Sequence, residues 1–169
     1  RAGIPIGSLY RYYPNKDAIT SALLELYIEG MTVVFDEVRR HPMLQKLSWG
    51  EVVALLVGGW MNYLRLNGPF NFLYITRVNP DPFGPILALW DRLYGSFGDV
   101  LRERCPDLTN DQVVVAFRLT YTAAEMGVDH GYQQEGFEEL CQEAMAAATL
   151  YLENACNVAG EAAEKDTAA

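Results

Sequence analysis

The feature that most restricts this chain is the spacing of its apolar residues, which recur every three or four positions with no sustained period-two alternation. Such spacing builds amphipathic helices and offers a sheet no continuous face, so the expected class is all-α. Clusters of Gly, Pro and Asn cut the pattern into segments. A short helix is expected near Ile6 to Tyr12, then a long one from Asn15 to about Arg40, with Asn15 as its cap and Asp17 at the positive end of its dipole. In the long helix Ile19, Leu23, Leu26, Tyr27, Gly30, Met31, Val34 and Val38 form the stripe to be buried, opposite Glu25, Glu29, Asp36 and Arg40.

His41 and Pro42 end that helix, and Ser48-Trp49-Gly50-Glu51 opens the next as a capping box, with Leu47 and Val52 as its hydrophobic staple. The helix to about Leu66 is apolar on nearly every side, which places it at the centre of the domain. A short aromatic helix from Phe70 to Arg77 and a turn at Asn79-Pro80-Asp81-Pro82 lead into a helix reaching about Arg104. That helix carries Ile86, Trp90, Leu93, Tyr94, Phe97, Val100 and Leu101 on one stripe. Thr109 to Gln112 forms a second capping box, stapled by Leu108 and Val113, for a helix from Asp111 to about Tyr132. It has two apolar or small faces: Val113, Phe117, Tyr121, Ala124 and Val128 on one, Val115, Leu119, Thr122 and Met126 on the other. A last helix from about Gly136 to Val158 lines up Phe137, Leu140, Cys141, Ala144, Met145, Ala148, Tyr151, Leu152 and Ala155, and the Ala/Glu-rich tail after it is expected to fray.

The chain has 169 residues, half of them apolar, which suits one good core and a small appendage. Mean hydropathy near zero describes a soluble globular protein, and the longest unbroken apolar run, Val52 to Met61, is about half the roughly 20 residues that cross a bilayer. No membrane partner is expected, and nothing at the start resembles a secretory signal. Cys105, Cys141 and Cys156 are widely spaced and odd in number, which argues for buried thiols in a reducing, cytoplasmic setting and against a disulfide framework or a zinc site. The net charge of −9 counts against a nucleic-acid partner, yet its distribution does not: residues 1–20 hold Arg1, Arg11 and Lys16 against Asp17 alone.

That basic head carries the densest motif. Ala2-Gly3-Ile4-Pro5-Ile6-Gly7-Ser8-Leu9-Tyr10-Arg11-Tyr12-Tyr13-Pro14-Asn15-Lys16-Asp17-Ala18-Ile19 closely resembles the end of the helix-turn-helix of TetR-family regulators. The family pattern there is a small-Gly-hydrophobic turn, a Gly-Ser/Thr-Leu-Tyr segment, an aromatic or His pair, and a Lys-Asp/Glu opening the next helix. A glycine at such a turn lets two helices meet sharply, and the second then presents its side chains to the major groove. Ser8, Tyr10, Arg11 and Tyr12 carry the hydroxyl and guanidinium donors used on bases and phosphates. Lys16 is placed for a phosphate. The resemblance implies that Tyr12 and Lys16 touch the backbone and that Ser8 and Tyr10 lie nearest the bases. Pro5 and Ile6 depart from the family, which commonly has a capping serine and a polar or basic residue there.

The resemblance further implies a TetR-like helical bundle: residues 1–18 as the C-terminal part of a helix-turn-helix domain, 19–159 as a ligand-binding and dimerisation domain, and 160–169 as a disordered tail. The earlier helices of the motif would precede Arg1, so this stretch alone is not expected to hold an operator. The protein would be a homodimeric, ligand-responsive regulator, a repressor released from operator DNA by a small, mostly apolar or aromatic molecule. Val115, Thr122, Met126, Ala144, Ala148, Tyr151 and Leu152 are the expected contacts between copies. Trp60, Tyr63, Phe72, Trp90, Tyr94, Phe97, Phe117 and Tyr121, with Phe70 and Tyr74 nearby, concentrate in the middle helices as candidate pocket walls, although rings at helical spacing also simply fill cores. Glu125, Tyr121, Thr120 and Asn67 are the candidate polar anchors. His130, beside Asp129 and near Glu125, lacks a second ligand at helical spacing and reads as a surface or interface residue. No catalytic motif, metal site or cofactor fingerprint is recognised, so no enzyme activity is expected. The alternatives are a helical small-molecule carrier or enzyme without DNA binding, and a dimerising scaffold without a pocket.

Overall fold

The computed structural model describes residues 6–67, 84–127 and 136–167. These form helices α1 (Ile6–Tyr12), α2 (Lys16–Arg39), α3 (Trp49–Leu66), α4 (Gly84–Arg102), α5 (Asn110–Gly127) and α6 (Phe137–Thr167), with a 3-10 turn at Leu44–Lys46. No strand occurs among the described residues, so the all-α class holds. The expected Phe70–Arg77 helix and the Asn79–Pro82 turn lie outside them.

The helix starts follow from local chemistry. The Asn15 side chain accepts from Ala18 N at 2.8 Å, and its extended backbone turns the chain into α2. At α3 the reciprocal box is complete: Glu51 N donates to Ser48 Oγ at 3.2 Å and Ser48 N donates to Glu51 Oε2 at 2.6 Å. Those bonds from Ser48, backbone first and hydroxyl second, hold the Glu51 carboxyl below its ordinary range. The same exchange joins Thr109 and Gln112 before α5, at 2.9 and 3.3 Å. Arg102 closes the α4–α5 corner by donating to Leu108 O and to Asn110 Oδ1.

Side-chain pairs fix the helix directions. Tyr27 and Phe35 of α2 meet Tyr63 and Trp60 of α3 respectively, so these two run antiparallel. Glu25 pairs with Arg92 and Arg39 with Glu103, so α2 and α4 run in the same direction. Asp111 acts on Tyr151 while a side chain at Gly127 would meet Cys141, which makes α5 and α6 antiparallel. Helix α3 packs on α2, α5 and α6, and α4 bridges α2 to α5, which puts α3 at the centre as its composition required. Its seam is Trp49, Val52, Val53, Leu56, Val57, Trp60 and Leu64, while Leu55, Gly58 and Asn62 face outward.

Two stripes differ from the expected ones. In α2 the buried residues are Tyr27, Ile28, Met31, Phe35 and Val38, whereas Leu26 is 56 % exposed. The face is rotated by about one residue because the aromatic Phe35, rather than Val34, fills the space between α3 and α4. In α6 Leu140 is exposed, and the core is reached by Cys141, Ala148, Leu152 and Ala155. Helix α6 also continues to Thr167, beyond the end of its apolar stripe, through a run of Ala, Glu and Lys whose own propensity favours the helix. Close approach of α2 and α3 depends on Gly30 and Gly59: a Cβ on Gly59 would lie 2.8 Å from Val34 Cγ1, and one on Gly30 would overlap the Tyr63 phenol.

Candidate nucleic-acid interface and aromatic centre

Helix α1 presents Ser8, Tyr10, Arg11 and Tyr12 to solvent, with Tyr12 the most open at 80 %. Tyr13, Pro14 and Asn15 then turn the chain, and Lys16 stands exposed at the first position of α2. All five residues expected to face DNA therefore lie on one short helix and the start of the next, none of them used in the core. The turn at Ala2 to Pro5 lies outside the described residues.

The aromatic residues converge where α2, α3, α4 and α5 meet. Trp60 is fully buried at the middle, with ring centroids of Phe117, Tyr121 and Phe35 at 5.2, 5.3 and 5.5 Å. Phe97 joins Phe35 and Phe117 at 5.4 and 5.3 Å, and Tyr94 stands edge-on to Phe117 at 4.5 Å. The tilted and edge-to-face angles are those aromatic quadrupoles prefer. Trp60 Nε1 donates to the Tyr27 hydroxyl at 3.1 Å, which satisfies a buried donor.

Of the expected pocket residues, Trp60, Phe97 and Phe117 have essentially no exposed surface and fill the core. Tyr63, Tyr94, Tyr121 and Glu125 are half-buried and form its rim. Phe70, Phe72 and Tyr74 lie outside the described residues, as does the side chain of Trp90, whose backbone is in α4. Burial raises the Tyr63 hydroxyl above its ordinary value, and that hydroxyl donates to Leu26 O. Among the anchors, Asn67 donates to Tyr63 O and Thr120 to Ala116 O, so both donors serve their own helix. Tyr121 donates to Glu125 Oε1 one turn along α5. Sequence reasoning omitted Phe35 from the buried set; its signal was its spacing from Ile28 and Met31.

The residues expected between copies divide in two. Ala148 and Leu152 are completely buried within the single chain and leave no surface for a partner, because they are the part of α6 that meets its own core. Val115 and Thr122 are exposed, and Met126, Ala144 and Tyr151 are half-buried and pack against the core. Leu140 and Leu150 add exposed apolar surface on α6.

His130 and Asp129 lie outside the described residues, and no group of three or more potential metal ligands of the His, Cys, Asp and Glu types occurs among those described. Among the described residues one helix, α2, is long and apolar enough by length and composition to cross a membrane, yet Glu25 and Glu29 interrupt it and its apolar face packs on α3 and α4. No protein-family model, curated protein or solved structure matches this chain.

Proposed function

We propose that this chain is the ligand-binding and dimerising body of a TetR-type transcriptional regulator, acting in the cytoplasm as a homodimer and carrying the second half of its helix-turn-helix at its N-terminal end. One observation carries the reading: the segment with the family-like pattern forms a short helix with Ser8, Tyr10, Arg11 and Tyr12 exposed, followed directly by a capped helix with Lys16 at its first position. The four-residue display suits a major groove, and Lys16, beside the dipole of α2, suits a phosphate. Helix α2 joins this display to the aromatic centre through Tyr27, Met31 and Phe35. A small apolar or aromatic effector entering beside Tyr63, Tyr94 and Tyr121 would press on that same helix. It lowers operator affinity only by binding better to a body whose recognition helices are misplaced for DNA. The dimer would be formed through α5 and α6, with the exposed Val115 and Thr122 and the half-buried Met126, Ala144 and Tyr151 as its contacts.

The test is a titration of the natural full-length protein against its own upstream DNA across a range of salt. Lys16→Ala is expected to weaken binding to all sequences about equally and to reduce the slope of log K against log salt by about 1. An unchanged slope removes Lys16 from the phosphate contacts. Absence of any sequence-dependent binding, together with a co-purified small molecule, would instead make the protein a carrier or an enzyme.

A further inference from the structure

Beyond its buried stripe, α2 keeps apolar surface outside the core: only 22 % of its most apolar 18-residue stretch is buried. Leu26, Gly30, Val33 and Glu37 recur at helical spacing and share one side of α2, while Leu55, Gly59, Asn62 and Leu66 share one side of α3. Each row contains a crossing glycine, Gly30 against Tyr63 and Gly59 against Val34, so the two rows border one another along the seam of the helix pair. Leu26, Val33, Leu55 and Leu66 are all exposed, Leu66 at 76 %. The ground beside them is bare, since Gly58 is exposed and a Cβ on it would meet nothing within 4 Å. Glu29 lies one turn from both Leu26 and Val33, and Glu37 one turn beyond Val33. Both carboxylates are exposed, and neither joins an ion pair among the described residues.

We infer that the α2–α3 seam is a docking surface for an amphipathic helix with a basic flank, supplied by another protein. An apolar face laid along the seam covers Leu26, Val33, Leu55 and Leu66, and lysines or arginines at its edge meet Glu29 and Glu37. Gly58 and Gly59 let the incoming side chains reach the α3 backbone closely. Charge selects this occupant over two others. A second copy would bring a mostly acidic surface, since the chain carries a net charge of −9. An anionic lipid surface would meet the same two carboxylates. This inference does not depend on DNA binding.

The experiment is fluorescence anisotropy of the natural full-length protein with a fluorescein-labelled synthetic helix of leucine and lysine, about 18 residues long. A peptide of the same composition, with its leucines scattered around the helix, serves as the control for charge alone. The amphipathic peptide should bind once per chain and about 10-fold or more tighter than the scattered one. Gly58→Leu, which builds a side chain into the open ground of the seam, should weaken that binding about 10-fold. Glu29→Gln combined with Glu37→Gln should weaken it and flatten its dependence on salt. Equal binding of the two peptides overturns the site, as does a Gly58→Leu variant that binds like the wild type. So does co-sedimentation of the wild type with phosphatidylcholine vesicles that Gly58→Leu abolishes, which would give the face to a membrane. Where circular dichroism shows Gly58→Leu misfolded, Val33→Gln combined with Leu66→Gln, both at exposed positions, decides in its place by the same loss or its absence.

Discussion

Trp60 shows how a single residue can organise this molecule. Its ring touches residues from α2 and α5, and its one polar atom is satisfied by Tyr27 across the α2–α3 crossing. Removing the acceptor alone is the informative change, because it leaves the indole N–H buried without that partner. Tyr27→Phe is expected to lower stability by about 1–3 kcal/mol in urea denaturation, and an unchanged midpoint would mean that the bond contributes nothing. The importance of Trp60 was legible in the sequence as part of an aromatic concentration; its bond to Tyr27 was not. Periodicity places a ring on a face but carries no information about which hydroxyl lies opposite it. For the same reason Ala148 and Leu152, small and apolar on a broad stripe, could not be assigned from sequence to their own core rather than to a partner's surface.

Helix boundaries were the most readable level, because capping is local chemistry. Ser48 with Glu51, and Thr109 with Gln112, needed only residues three apart, and both boxes formed. What the local pattern missed was the rotation of α2, which depends on the space left by α3 and α4. Glu51 also gives the capping box a pH dependence with a definite sign. Its carboxyl is held below the ordinary value, so its contribution is fully present above that ordinary value and disappears as pH falls through the lowered one. Thermal unfolding of wild type and Glu51→Gln should therefore differ near neutrality and converge in acid. A gap that widens with falling pH would contradict the assignment.

On the scale of the whole molecule, the sequence identified an all-α body with a basic head but could not divide the apolar surface of α5 and α6 between interior and exterior. The folded chain makes that division, and among the residues left outside are Val115 on α5 and Leu150 on α6, which are 42 % and 60 % exposed. If the proposed dimer uses these two side chains, Val115→Glu combined with Leu150→Glu should convert the protein to monomers by light scattering while helicity by circular dichroism is retained. Dimers that persist in the double variant would place the interface elsewhere. Leu152 is unsuited to this test, since truncating it would damage the core.

The glycine crossing of α2 and α3 gives the molecule a mechanical ratio. Lys16 lies fourteen residues before Gly30, an arm of roughly 21 Å at about 1.5 Å per residue. Tilting that arm by about 10° around Gly30 sweeps its tip through roughly 4 Å, comparable with the 3.4 Å of axial rise per phosphate along one strand of a DNA duplex. In the proposed symmetric dimer the two tips would move together, so a slight tilt at the crossing would put both out of step with the proposed DNA target.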